Sequence, residues 1–225
     1  MRLCVIFDMD GVLVDSYKAH LQSWQMMAGE FGESLTEAQF LETFGQTSRE
    51  IIARHWGADT LTPEQIEQFD QRKEALYRGI IESDFPEMPG ARQLIENLRA
   101  ARFKLAVGSS GPPENVDFVL RRMKIRRHFE VRVTGKDVTK GKPDPEVFLK
   151  AAEKLRTDPL LCAVIEDAPV GIAAANAAGM TSIALLSTGH TAEKSAAAQV
   201  IVRKLTDLSA DRIAALIGSA AAKAS

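Results

Sequence analysis

The sequence predicts an α/β fold: a parallel sheet covered by helices on both faces, with a purely helical block inserted after the first strand. Three observations predict it. Short runs rich in Val, Ile and Leu recur along the 225 residues, and they are of strand length. From residue 90 on they alternate with helix-patterned segments, and because most are apolar throughout, they suit strands buried on both faces. Residues 16–86 instead carry helical periodicity and no convincing strand.

The first strand is read at "LCVIF" (3–7). The segment "SYKAHLQSWQMMAGEF" then puts His20, Trp24, Met27 and Phe31 on one helical stripe. "TPEQIEQFDQRKEALYRGII" is a second strong helix, opening at a threonine with Glu and Gln near its start. Three to five such segments fill the block, and "FPEMPGA" (85–91), with two prolines and a glycine, reads as the return linker. The expected division is a core of residues 1–15 and 87–225 with a helical cap of 16–86. Further strands are expected at "FKLAVG" (103–108), "FEVRVTG" (129–135), "LCAVIE" (161–166), "TSIALL" (181–186) and "QVIV" (199–202). Among the helices between them, "PENVDFVLRRM" aligns Val116, Val119, Leu120 and Met123. "PDPEVFLKAAEKL" offers Asp144 as N-cap with Pro145 in the first turn. "PVGIAAANAAGM" meets a stop at Gly179. The final "GSAAAKAS" is expected to fray.

Composition excludes several classes. A net charge of −2 with 45% apolar and 26% charged residues points to no nucleic-acid or membrane partner. No stretch approaches the roughly 20 apolar residues of a membrane span, and the first apolar run meets Asp8 too early for a signal peptide. The expected location is therefore the cytoplasm. Cys4 and Cys162, each in a strand-like run, read as buried reduced thiols.

In open parallel sheets ligands bind beyond the carboxyl ends of the strands, where the strand order reverses. The first strand runs into Asp8 and Asp10, the second into Ser109 and Ser110, and the fourth into Glu166 and Asp167. "TKGKPDP", after the third, carries Lys140 and Lys142. Two unit charges about 4 Å apart repel by about 4 kcal/mol at an effective dielectric of about 20. Four carboxylates gathered at one rim therefore call for a cation, and an all-oxygen site suits Mg²⁺, which also takes phosphate oxygens as ligands.

"FDMDGVLVDS", "VGSS", "GKPDPEVF" and "VIEDAPVGIAAANAAGM" together resemble the four motifs of the haloacid dehalogenase superfamily of phosphohydrolases, over essentially the whole chain. Within the superfamily it is similar to the branch that holds β-phosphoglucomutase and related sugar-phosphate phosphatases, whose helical cap sits where residues 16–86 sit here. The resemblance implies a Rossmann-like core and Mg²⁺-dependent phosphoryl transfer from a small, sugar-like phosphate. It implies that Asp8 is the nucleophile, that Asp10 is the general acid/base, and that Ser109 and Lys142 hold the phosphoryl group. It surrounds Mg²⁺ with Asp8, the Asp10 carbonyl, Glu166 and Asp167, Glu166 being either a direct ligand or a group that orients the ligands. Ser109 also stands where it would cap the next helix, and a helix N-terminus is itself a phosphate site. Ser110 falls beside it in the substrate cleft.

In the cap, the resemblance assigns substrate contacts to His20, Arg49 and Lys73. On residue type alone, His20 reads as a packed core histidine and the other two as solvated cations. The mutase pattern also has a Ser-Lys-Asn run that helps to hold a second phosphate. Here the matching residues are Gly111, Pro112 and Pro113, which lack the charge and the amide, and proline lacks an N–H donor. That favours hydrolysis over the alternative, a phosphomutase. Carbon–halogen hydrolysis is disfavoured by the second aspartate. A dinucleotide-binding reading lacks a Gly-x-Gly-x-x-Gly turn after the first strand.

Overall fold

The computed structural model describes residues 2–57 and 61–224. Residues 1, 58–60 and 225, which fall in the expected 1–15, 16–86 and 87–225 segments, lie outside the described residues. Six parallel strands form one sheet: β1 (Cys4–Phe7), β2 (Lys104–Gly108), β3 (Val131–Val133), β4 (Cys162–Glu166), β5 (Thr181–Leu185) and β6 (Val200–Val202). Their order is β3-β2-β1-β4-β5-β6. The chain builds outward from β1 to one side and then, from β4, to the other, so the reversal lies between β1 and β4.

The strands β1, β4 and β5 are buried on both faces, which is why their sequences do not alternate, whereas the edge strands β3 and β6 are only partly buried. Val5 and Phe7 enter one core, with helices α5 (Ala91–Ala100), α6 (Pro113–Arg122) and α9 (Ala210–Ala224). Cys4 and Ile6 enter the other, with α7 (Glu146–Lys154) and α8 (Pro169–Ala177). Cys4 and Cys162 are free, buried and in register on neighbouring strands. No helix among the described residues is long and apolar enough to cross a membrane.

The inserted block forms a helical cap of α1 (Tyr17–Glu30), α2 (Glu37–Thr43), α3 (Ser48–Trp56) and α4 (Pro63–Ser83). Thr36, Thr47 and Thr62 open the last three, each in a capping box closed by Gln39, Glu50 or Gln65. The cap has its own aromatic core, including Trp24, Phe40, Phe44 and Phe69. Its two connections to the sheet are tied together: Asp15 N–H donates to the Pro86 carbonyl at 2.8 Å and Met88 N–H to the Leu13 carbonyl at 3.0 Å.

Three local expectations change. Phe31 leaves the apolar stripe: it lies just past the end of α1, 45% exposed, with its ring against Phe69. Helix α7 begins one residue late, with Pro145 at the cap, because the Asp144 carboxylate accepts from the Glu146 N–H in a side-chain turn. The Ala-rich tail expected to fray is helical, α9 running to Ala224 on residues of high helix propensity.

Candidate active site

The strand ends converge at the reversal point. Asp8 follows β1, its N–H donating 3.0 Å to the Ile165 carbonyl of β4, so the two strand ends are held side by side. Glu166 ends β4 and Asp167 follows it. Carboxylate oxygens of Asp8, Glu166 and Asp167 lie within 4.8 Å of one another, all buried. Lys142 reaches in from the loop before α7, and its Nζ donates 2.6 Å to Asp8 Oδ1 and 2.6 Å to Glu166 Oε1. The other oxygen of Glu166 accepts from the N–H groups of Asp167 and Ala168, each at 2.8 Å. Thr188, beyond β5, donates 2.6 Å to Asp167 Oδ2.

Two glycines make room for this cluster. A Cβ on Gly11 would lie 2.1 Å from Asp167 Oδ2, and one on Gly171 would lie 1.8 Å from Glu166 Oε1. Gly11 also takes φ +74°, which side chains other than glycine's rarely allow. The glycine after the paired aspartates is thus required twice, by the turn and by the acid beside it.

The electrostatics are those of an anion cage short of positive charge. Burial pushes Asp8 up to about 8; Lys142 pulls it down, while Glu166 and Asp10 add to the rise. Burial, Glu166 and Asp8 likewise hold Asp167 well above the usual carboxylate range. Burial alone would lower Lys142, but Asp8 and Glu166 hold it above its ordinary range. One lysine faces three acids that are all-oxygen donors, so the cluster fits a hard divalent cation such as Mg²⁺.

Asp10 is turned away from that cluster. The four-carboxylate gathering expected from sequence is a group of three, because the Asp10 side chain points toward the cap. Its Oδ1 accepts from Ser16 Oγ at 2.6 Å, Tyr77 Oη at 3.1 Å and His20 Nε2 at 3.1 Å. Ser16 occupies the N-cap of α1 but makes no cap bond there, since its hydroxyl serves Asp10. His20 stacks flat on Tyr77, ring centroids 3.8 Å apart. Burial would raise Asp10, but His20, Ser16 and Lys73 bring it below its ordinary value.

Between sheet and cap lies a cavity of about 340 Å³, lined by Asp8, Asp10, Ser109, Lys142 and Arg49 among others. A haloacid dehalogenase-like hydrolase family model matches residues 5–185, from β1 through β5. The chain belongs to that family. A phosphorylated carbohydrates phosphatase of Thermotoga maritima is 33% identical to this hydrolase over 179 residues, 80% of this chain and 82% of that protein. The β-phosphoglucomutase of Bacillus subtilis is 33% identical over 211 residues, 91% of this chain and 90% of that one. The crystal structure of a β-phosphoglucomutase from Clostridium difficile superposes with a TM-score of 0.88, covering 97% of this chain and 98% of that chain. At 24% identity that likeness speaks for the fold alone.

For this family member, the cavity brings most of the expected residues together. Arg49 is exposed at its wall and free to face a ligand. Lys73 lines the cavity too but is no solvated cation: it is 3% exposed, and its Nζ meets His20 Nδ1 at 3.2 Å and the Glu74 carboxylate. Ser110 Oγ donates 3.1 Å to the Gly45 carbonyl of the cap. Ser109 does not cap α6, because Pro112 occupies that position; its hydroxyl instead accepts from the Gly111 N–H at 3.0 Å. Lys140 is solvent-exposed, 3.7 Å from Asp144.

Several residues of the site escaped the sequence reading. Thr188 follows a strand as the expected acids do, so the strand-end rule applied to β5 finds it. Tyr77 stands four residues after Lys73, on the same face of α4. Glu74 and Asn115 carried no sequence signal, because their roles depend on how α4 meets α6.

Proposed function

We propose that this hydrolase is a Mg²⁺-dependent phosphatase of a small, sugar-like phosphate, working through an aspartyl phosphate. The observation that carries the reading is the pairing of Asp8 with Lys142 at the floor of a cavity whose wall presents a second, separately held acid, Asp10.

Asp8, Asp167, the Asp10 carbonyl and Glu166 would hold Mg²⁺, either directly or, for Glu166, by orienting the others. Bound there, the ion would neutralise the acids and offset charge on phosphoryl oxygens. The chain's own groups account for the remainder. Lys142 and the Ser109 hydroxyl grip the phosphoryl group. A carboxylate oxygen of Asp8 attacks phosphorus as the bond to the leaving oxygen breaks; Asp10, ionised at rest, takes up a proton from solvent before the attack and passes it to that oxygen. In the second half, Asp10 takes a proton from water as the water oxygen attacks phosphorus, releasing phosphate and freeing Asp8. The Asp10 oxygen for this is Oδ2: Oδ1 is engaged by three donors, and Oδ2 lies 3.9 Å from where a Cβ of the cavity residue Gly111 would stand. Arg49 suits the role of gripping an anionic or polar substrate group bidentately, and His20 ties Asp10 to the cap.

The mutase reading is favoured by the Bacillus subtilis relative. The 111–113 turn opposes it. Pro112 and Pro113 have no N–H, and the Gly111 N–H is already given to Ser109, so the turn offers a second phosphate no backbone donor. The test is phosphate release from a panel of phosphorylated metabolites with and without Mg²⁺, followed by product analysis on β-glucose 1-phosphate. Inorganic phosphate and glucose are expected. Glucose 6-phosphate as main product, activated by catalytic bisphosphate, would replace this reading with the mutase.

A further inference from the structure

Helix α4 presents two adjacent pairs of side chains to two partners. Lys73 and Tyr77 face His20 and Asp10. Glu74 and Arg78 face the core helix α6, where both meet one residue, Asn115, which is fully buried. The Asn115 Nδ2 donates to Glu74 Oε2, and the Arg78 Nη1 donates 2.7 Å to Asn115 Oδ1. A side-chain amide is suited to this place because it offers donors to an anion and an acceptor to a cation at once. Glu74 passes the contact on: its Oε1 accepts from Lys73 Nζ. An ammonium has only donors, so His20 must accept at Nδ1, carry its proton on Nε2, and donate that proton to Asp10 Oδ1. A continuous run of hydrogen bonds thus leaves the core at Asn115, crosses the cap through Glu74, Lys73 and His20, and returns to the core at Asp10.

We infer that Asn115 is a positioning residue: its clasp on Glu74 and Arg78 docks the cap and, through Lys73, fixes the His20 tautomer that holds Asp10. The inference rests on the proposed general acid/base role of Asp10. It adds a residue outside the cavity lining, at a contact between cap and core. Without the clasp, Glu74 and Arg78 lose their shared core partner, α4 is left held to the core at Tyr77, Ile81 and Glu82, and the donors on Asp10 lose their register. A misplacement of about 1 Å in such a constellation costs up to about a hundredfold in rate.

A charge-conserving swap tests it. Asn115→Asp places a carboxylate against Glu74 and breaks the clasp. Adding Glu74→Gln restores it with reversed polarity: the introduced amide accepts from Lys73 and donates to the introduced carboxylate, which pairs with Arg78. The wild type, Asn115→Asp and the Glu74→Gln/Asn115→Asp double variant are compared below their melting temperatures. Three quantities are read: kcat for phosphate release, the inhibition constant of inorganic phosphate, and the ¹⁵N shifts of the His20 ring. Asn115→Asp is expected to lower kcat roughly ten- to a hundredfold, leave phosphate inhibition within about twofold, and mix the His20 tautomers; the double variant is expected to recover kcat and the single Nε2–H tautomer. Unchanged kcat and ring shifts in Asn115→Asp, or a loss that the double variant does not recover, overturn the inference. A wild type that releases no phosphate from any substrate, but whose ring shifts respond as expected, leaves the clasp standing and removes the proposed function instead.

Discussion

Replacing Asp8, the proposed nucleophile, should stabilise the metal-free protein, by an amount that grows with pH. Asp8 has its carboxyl pushed up to about 8 by burial, from an ordinary 3.8. A group raised on folding contributes its full share of stability below its unfolded value and loses it as pH climbs to the folded one. Between about pH 5 and 7 the folded protein holds a proton at Asp8 that the unfolded chain has released, so stability falls by about 1.4 kcal/mol per pH unit. Over two units that is about 3 kcal/mol, or roughly 6–12 °C in melting temperature for a chain of this size. Asp8→Asn keeps an oxygen for Lys142 but has no proton to lose. Asp10 and Glu74 lie below their ordinary values, so their contributions are lost only at more acid pH. His190 and His128, both depressed chiefly by burial, pull in the opposite sense, gaining stability as pH rises, but they act equally in both proteins. Asp167, also raised, loses stability with pH in the same sense, and in the variant it loses the part of its rise that Asp8 supplies, so the difference between variant and wild type reads Asp8 together with its coupling to Asp167. Thermal unfolding followed by circular dichroism in excess chelator, at pH 5, 6 and 7, should show the two nearly level at pH 5 and the variant well ahead at pH 7. A difference that stays constant from pH 5 to 7 would refute the buried, proton-holding nucleophile.

Further outcomes can be checked together. Chelator should abolish phosphate release and Mg²⁺ restore it; raising Mg²⁺ to a hundred times its dissociation constant should also stabilise the fold by about 2.7 kcal/mol, readable as a melting shift. Gly171→Ala drives a methyl to 1.8 Å from Glu166 Oε1, so calorimetry should find Mg²⁺ affinity reduced at least about tenfold. Lys73→Ala leaves Glu74 buried without its cation, 6% exposed, and should cost about 3–5 kcal/mol in urea unfolding. Arg49→Ala, at an exposed position, should stay within about 0.5 kcal/mol of wild type while impairing a sugar phosphate more than an aryl phosphate.

The readable part of this protein was the part set by local pattern. Apolar-rich runs located all six strands to within two residues at either end; double-sided burial removes polar residues from β1, β4 and β5, while the edge strand β3 keeps Arg132. Strand-end acids were legible for the same reason: Asp8, Glu166 and Asp167 interrupt runs that are otherwise uniformly apolar. What the sequence hid depends on rotamers and on how separate helices meet. Asp10 sits two residues from Asp8, yet its carboxylate faces the cap, a choice made by Ser16, His20 and Tyr77 together. Lys73 looked like any lysine on a polar helix face, and only the packing of α4 against α1 and α6 buries it beside Glu74.

The same packing bears on hydrolysis against transfer. A mutase must hold an intermediate by its far phosphate while it turns, and each charge-assisted hydrogen bond in that grip is worth about 1.5–3 kcal/mol. The 111–113 turn contributes none. On the cap side of the cavity α4 presents Glu67, Asp70 and Glu74, with Ser48 bonded to Asp70. Against them stand Arg49, Lys136 and Lys73, the last already spent on Glu74 and His20. With Glu74 paired to Lys73, a second phosphate would meet as much negative charge, at Glu67 and Asp70, as free positive charge, at Arg49 and Lys136, whereas hydroxyl groups would find acceptors along that face. The cap therefore gains its hold from the protein's own bonds, at Asp10 and Asn115, and does not need a distal phosphate to close upon. Closure that owes nothing to the far end of the substrate would leave the proposed aspartyl phosphate with water as its acceptor, which is the outcome the proposed hydrolysis requires.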